Sequence, residues 1–384
     1  MRLTRTGIKG WGHTPFGKHE KSLEALMVDA IDEALKHAQV DGQDIDQVFL
    51  GHFNAGFCEQ DFTASLVLQH PSLARFMPVT RLENACATGS AAVHAAAKAI
   101  ESGESTRVLV VGAEKMTHRP GAEVGRILAR ASYVAEESAY GSFADVFAYI
   151  ARQYEEKFGD ASEARALIAA KNHANGLKNP LAHLQKALDV GFCRQVSEKN
   201  PRVSEPLLRS DCSPISDGAV AMVLSDASDC TVAIKALAQA SDYLPMSRRD
   251  MSELAGCRRV WQQGLGDAEW SLDDLDLVET HDCFTIAELM QYEAMGLTPT
   301  GQGLRALQEG WVYPDGKLPV NVSGGLKAKG HPIGATGVSM HVMAARQLAG
   351  EADDMQLSSA NRAGVFNMGG TAVANYVSLL ERIE

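Results

Sequence analysis

The sequence predicts an α/β fold made of two similar halves, the first interrupted by a mostly helical insertion. Three observations carry this. Short apolar runs at Gln47–Gly51 and Arg107–Gly112 alternate with helical stretches around 64–69 and 91–100, the pattern of parallel strands covered on both faces. From about Thr117 to Ser213 the alternation stops and Arg, Lys, His and Asn accumulate, as in Lys171-Asn-His-Ala-Asn175. Finally, Cys86-Ala-Thr-Gly89 with its Ala-rich run to Ile100 has a counterpart in Gly334-Ala-Thr-Gly337 with a helical run to Leu348. A three-residue match is weak by itself, but its shared place ahead of a helix makes duplication the better reading. Two such units about a pseudo-dyad bring the two helix starts together.

The elements follow in order. Ser22 is a plausible N-cap for a helix whose Leu23, Leu26, Met27, Ala30, Ile31, Ala34 and Leu35 form one stripe. After the insertion, Ser216–Leu224 and Thr231–Ala240 resume strand character and close the first half. A helix around 252–262 then leads into a strand at 275–280, a helix from about Ile286 to Met295, a strand at 318–322 and a helix after Gly337. Strands at 364–368 and 372–380 flank a glycine pair at the end. The expected division is 1–116, completed by 214–250, for the first half, 117–213 for the insertion and 251–384 for the second half.

Composition narrows the function. The 384 residues are 45% hydrophobic and 22% charged, enough for a full core, and the net charge of -12 argues against a nucleic-acid binder. No stretch approaches the ~20 apolar residues of a membrane span and no signal peptide is expected. The C-terminus carries no Ser-Lys-Leu address, and the Asn321-Val-Ser323 sequon is expected to be inert. The chain reads as soluble and cytoplasmic. Its seven cysteines include no CxxC pair, so neither a disulfide framework nor a metal site is expected.

Four stretches carry chemistry. In Asn84-Ala-Cys86-Ala-Thr-Gly-Ser90 a cysteine sits where a sharp turn feeds a helix N-terminus. That place favours a thiolate, and small neighbours admit a bulky electrophile. The alternative is a buried structural cysteine. In Asn321 to Gly337 many glycines surround His331-Pro332, holding an imidazole in a tight loop; neither nucleotide-binding glycine pattern is present. A cysteine with a histidine in reach is the activated-nucleophile pairing. His281-Asp-Cys283-Phe-Thr285 lies at the end of a strand, where α/β active sites gather. Phe366-Asn-Met-Gly369-Gly370 is a glycine turn able to present a backbone N–H to an oxyanion. His94 and His341 fall inside the two central helices and read as core histidines.

These four stretches, in this order and over essentially the whole chain, resemble the thiolases. The His281-Asp-Cys283-Phe284 motif is similar to that of the sterol-carrier-protein-type branch, which takes in archaeal and bacterial acetoacetyl-CoA thiolases. Ordinary thiolases have Asn-Glu-Ala-Phe at that place and a second catalytic cysteine in a C-terminal Cys-x-Gly; here Asn367-Met368-Gly369 stands instead. The resemblance implies a five-layered αβαβα core and an acyltransferase that works through an acyl-Cys86 intermediate. It implies His331 as the base, Cys283 as the acid/base on carbon and the N–H groups of Cys86 and Gly369 at the oxyanion. His281 would hold a water that, with His331, meets the enolate oxygen. Substrates would be coenzyme A thioesters with no further cofactor, the coenzyme lying across the insertion near its basic residues. A homodimer or homotetramer, joined along an edge strand near 107–112, is implied, and a small partner protein is possible in this branch. The rivals are an aldolase of the same branch, which lacks the nucleophilic cysteine, a ketoacyl synthase, and a non-catalytic scaffold subunit.

Overall fold

The computed structural model describes residues 1–383. Its strands are β1 (Thr6–His13), β2 (Gln47–Gly51), β3 (Val79–Leu82), β4 (Val108–Glu114), β5 (Arg202–Ser204), β6 (Leu207–Leu208), β7 (Gly218–Asp226), β8 (Val232–Ser241), β9 (Leu277–Thr280), β10 (Arg362–Gly369) and β11 (Ala374–Arg382). Nine of them form one sheet in the order β3-β2-β4-β7-β1-β8-β11-β10-β9, with β5 and β6 apart as a small hairpin. Val320 adds a single parallel bridge outside β9. The order β3-β2-β4-β7-β1 is thus repeated as Val320-β9-β10-β11-β8, which makes the duplication explicit.

Five layers follow from what packs on what. The Leu23–Ala38 helix lies on β1 and β7, and the Ala255–Ala268 helix on β8 and β11. Between the two half-sheets run the central helices, Thr88–Glu101 and Ile333–Ala349. Ser22 caps the outer helix of the first half by accepting from the Ala25 amide at 3.2 Å, and the expected apolar stripe is its buried face.

The central helices meet through glycine. A Cβ placed on Gly337 would lie 2.2 Å from the Ser90 amide nitrogen, and one on Gly89 2.7 Å from that of Val338. No side chain fits there, so backbone touches backbone where the two repeats face each other. His94 and His341 share the Ser378 hydroxyl at 3.1 and 2.7 Å, as buried histidines of the core. Gly337→Ala is expected to destabilise the fold by about 1–3 kcal/mol. Gly266→Ala, in a helix where an added Cβ meets nothing within 4 Å, is expected to be neutral or slightly stabilising. Urea midpoints of the two variants check this contrast.

The structure departs from the sequence reading at five places. Strand β1 was not legible because Gly7, Gly10 and Gly12 spoil its pattern. Gly10 and Gly12 let the outer helix lie directly on the strand, a Cβ on Gly12 sitting 2.2 Å from the Ala30 carbonyl, while Gly7 makes room for Cys230. Strand β8, expected to close the first half, pairs along its length with β11 and over only two residues with β1, so it belongs to the second half. The stretch 318–322 shrinks to one bridge, since Pro319 has no N–H to give and Asn321 turns away at φ 56°. The strand at 107–112 is no edge: β4 lies between β2 and β7, and the half-exposed edge is β3.

The fifth concerns the insertion, which carries the helices Gly121–Leu128, Phe143–Phe158 and Ser162–Gly176. Lys171 is no landing place for an anion. It is buried, with its Nζ 2.8 Å from Glu288 Oε1 and donating to the Val320 carbonyl at 2.7 Å. Beside it Asn172 Nδ2 donates to Asp282 at 2.7 Å and to Glu288 at 2.6 Å. This segment bolts the insertion to the loop that carries Cys283.

Candidate active site

Cys86 lies in the turn between β3 and the first central helix. Ala85 ahead of it adopts a left-handed backbone (φ 49°), and the Thr88 hydroxyl accepts from the Asn84 amide at 2.8 Å. The equivalent hydroxyl of the second repeat, Thr336, lies 2.6 Å from His331 Nδ1 and donates onward to the Pro332 carbonyl at 2.9 Å. Each repeat therefore uses the same threonine to brace the loop before its central helix. A hydroxyl whose proton is spent on a carbonyl can only accept from the ring, which leaves His331 Nε2 as a lone pair. The two loops converge as the duplication requires. Cys86 Sγ and a ring nitrogen from each of His281 and His331 all lie within 4.8 Å of one another. The two imidazoles meet edge to face with centroids 5.2 Å apart.

His281 and Cys283 leave the carboxyl end of β9. Asp282 between them is buried and held by the amides of Leu326 (2.6 Å) and Lys327 (3.1 Å). Burial and the neighbouring Glu288 carboxylate push its carboxyl up. Asp282 is thus the clamp that ties the His281–Cys283 loop to the glycine-rich loop of His331. Cys86, Cys283 and His331 line one cavity of about 320 Å³. Its other walls are almost wholly apolar, among them Met116, Val124 and Leu128 from the insertion side and Phe284 and Ile333 from the core.

That environment overturns the expected thiolate. Burial pushes the Cys86 thiol up to about 12; the amides of Gly370 and of Cys86 itself oppose this, while Glu114 and Glu83 add to it. Burial, then the Lys329 ammonium, brings His331 down to about 3. Burial likewise holds His281 well below the usual imidazole value and Cys283 well above the usual thiol value. The resting pair is a neutral thiol beside a neutral imidazole, since a helix N-terminus does not offset the loss of water. Alkylation of Cys86 by iodoacetamide is therefore expected to climb about tenfold per pH unit from pH 7 to 10. A plateau reached below pH 8 would show an ion pair instead.

Of the residues singled out in the sequence, Cys86, Cys283 and His331 line the cavity, His281 is fully buried with a ring nitrogen within 4.8 Å of the Cys86 sulfur, and Gly369 lines a neighbouring pocket. The amide facing the Cys86 sulfur, besides its own, is that of Gly370, one residue beyond Gly369, whose carbonyl accepts from Val373 at 3.0 Å. Two further residues escaped notice, Thr336 and Asn367. The repeat could have found Thr336, since it pairs with Thr88. Asn367 had no such signal.

A doubled α/β sheet whose paired helix N-termini carry a thiol and an imidazole to one apolar pocket is suited to acyl transfer through sulfur. Comparison narrows this class. Residues 8–191 match the family model for the thiolase N-terminal domain, and residues 238–382 that for a thiolase C-terminal domain-like unit. An acetyl-CoA acetyltransferase of Methanothermobacter thermautotrophicus is 35% identical over 98% of this chain and 99% of its own. Human sterol carrier protein 2 is 31% identical over 96% of this chain and 70% of its own. Among solved structures, an Ltp2-ChsH2(DUF35) aldolase superposes with a TM-score of 0.82 at 21% identity, covering 98% of each chain, a likeness of fold. The chain belongs to the thiolase family, in its sterol-carrier-protein-type branch. No helix among the described residues is long and apolar enough to cross a membrane.

Proposed function

We propose that the chain is an acyl-CoA:acetyl-CoA C-acyltransferase that makes or cleaves 3-ketoacyl-CoA through an acyl-Cys86 intermediate. The observation that carries this reading is the convergence of Cys86, His331 and Cys283 on one largely apolar cavity.

In the cleaving direction, Cys86 Sγ attacks the 3-keto carbon and its proton passes to His331 Nε2. The oxyanion is met by the amides of Cys86 and Gly370. Collapse breaks the C2–C3 bond, and the thiol proton of Cys283 goes to the enolate carbon, releasing acetyl-CoA and leaving acyl-Cys86. His281 and His331 face the enolate oxygen. An incoming CoA thiol then gives its proton to the Cys283 thiolate and attacks the acyl carbonyl. Cys86 leaves and recovers its proton from His331. The neutral Cys283 that burial favours starts this sequence as an acid; condensation runs the same steps in reverse.

Coenzyme A thioesters are the substrates in this reading, and no resident cofactor enters the steps. The cell context is cytoplasmic lipid or acyl-CoA metabolism, in keeping with seven free cysteines. The half-exposed edge β3 suits pairing with a second copy, giving a homodimer or a dimer of dimers; a monomer mass in light scattering would reject this. An aldolase-like or scaffold role with a small partner protein is the lesser reading, because Cys86 and His331 are both in place. The deciding experiment is intact-protein mass after brief incubation with acetyl-CoA or acetoacetyl-CoA. One acyl group per chain, discharged by added CoA, supports the proposal. No adduct across a panel of acyl-CoA lengths would overturn it.

A further inference from the structure

The wiring behind the two histidines is asymmetric. Asn367, fully buried in β10, receives a hydrogen bond from the Ser90 hydroxyl on Oδ1 at 2.9 Å. Its Nδ2 donates to the Cys86 carbonyl at 3.1 Å and lies 2.8 Å from His281 Nδ1. A carbonyl only accepts, so the amide must turn its nitrogen to that side, and its second N–H points at His281 Nδ1. His281 Nδ1 is then an acceptor, and the ring proton sits on Nε2. Thr336 imposes the opposite on His331, whose proton sits on Nδ1 and whose Nε2 is bare. Both Nε2 atoms are buried and neither has a hydrogen-bond partner among the described residues.

The same three side chains raise a second question. One thiol and two imidazoles with their ligand atoms within 4.8 Å have the composition of a zinc site. An imidazole that binds a metal must offer a bare nitrogen to the ion and place its N–H on the other side, against an acceptor. His331 meets this condition through Thr336. His281 does not, because the group behind it is the Asn367 donor.

We propose that Asn367 is a positioning residue that holds the His281 proton on Nε2, giving the cavity one donor beside one base and keeping Cys86, His281 and His331 from closing on a divalent metal ion. The donor half of this statement rests on the thioester reading above; the tautomer and the metal exclusion do not. In Asn367→Asp the carboxylate accepts from His281 Nδ1, which transfers the ring proton away from the cavity and leaves two bare Nε2 atoms facing the Cys86 thiol.

The test has two parts. Nitrogen NMR of the wild-type protein labelled in histidine, with His281 assigned by its loss in His281→Gln, is expected to show His281 protonated on Nε2. A proton on Nδ1 would overturn the proposal without any variant. Titration with zinc chloride, read as protection of Cys86 from alkylation, is expected to show at least tenfold tighter binding in Asn367→Asp than in wild type and a smaller gain in Asn367→Ala, which removes the donor without supplying an acceptor, with either gain abolished by adding Cys86→Ala. Unchanged zinc affinity in both variants would also overturn it. With a thioester substrate, Asn367→Asp is expected to lower kcat about 10²-fold while KM stays within about threefold, as for loss of one oxyanion donor. A wild type with the expected tautomer and zinc contrast but no thioester turnover would support this inference while removing the thiolase reading.

Discussion

Cys86→Ala is expected to remove acyl transfer altogether, with kcat lowered on the order of 10⁴-fold or more and no acyl adduct in the intact-mass spectrum. The size follows from the chemistry. Without a sulfur at residue 86 there is no covalent route, and neither His331 nor the amides of Cys86 and Gly370 can supply one. The fold should tolerate the change, because residue 86 lies in a turn flanked by Ala85 and Ala87. Equal melting temperatures with lost turnover would confirm a chemical role. Retained turnover would mean that another nucleophile, with Cys283 the first suspect, had been misassigned.

Cys283→Ala is expected to divide the reaction. Cys86 should still take an acyl group from acyl-CoA, since His331 handles that proton, but making or breaking the carbon-carbon bond should slow by about 10²–10⁴-fold. Transfer between CoA thiols should suffer far less, because a CoA thiol ionises near neutral pH without Cys283, whereas the carbon acid does not. Rapid-quench mass spectrometry for the first step and ketoacyl-CoA absorbance for the second read the two steps separately. If both steps fell together, Cys283 would be holding the cavity in shape; if neither fell, the carbon acid would lie elsewhere.

The fold was legible wherever pattern coincided with burial. The stripe from Leu23 to Leu35, the apolar run at β4 and the repeated Ala-Thr-Gly needed nothing beyond the sequence. Strand β1 was hidden because Gly10 and Gly12 answer to a helix lying on it and not to a pleat. The edge was misplaced because edge and interior strands differ in neighbours, which a one-dimensional pattern does not record. Cys86, His281, Cys283 and His331 could be singled out because their loops are distinctive and together resemble those of the thiolases, and the fold brings them together. Their protonation could not be read there. A helix N-terminus suggests a thiolate, but the depth of the cavity reverses the balance, and depth is a property of the finished fold. The Asn367 amide could not be read as functional, since its meaning lies in three partners from three distant segments.

The glycine contact between the central helices carries a consequence for substitution. Gly89 and Gly337 hold equivalent places in the two repeats, and each sets the room available to the other. A change at either is felt by both copies of the repeat at once, three residues from the nucleophile on one side and six from the base on the other. At this seam the two halves answer to one shared steric limit. A side chain at either place meets backbone, so a change at one cannot be relieved by a change at the other.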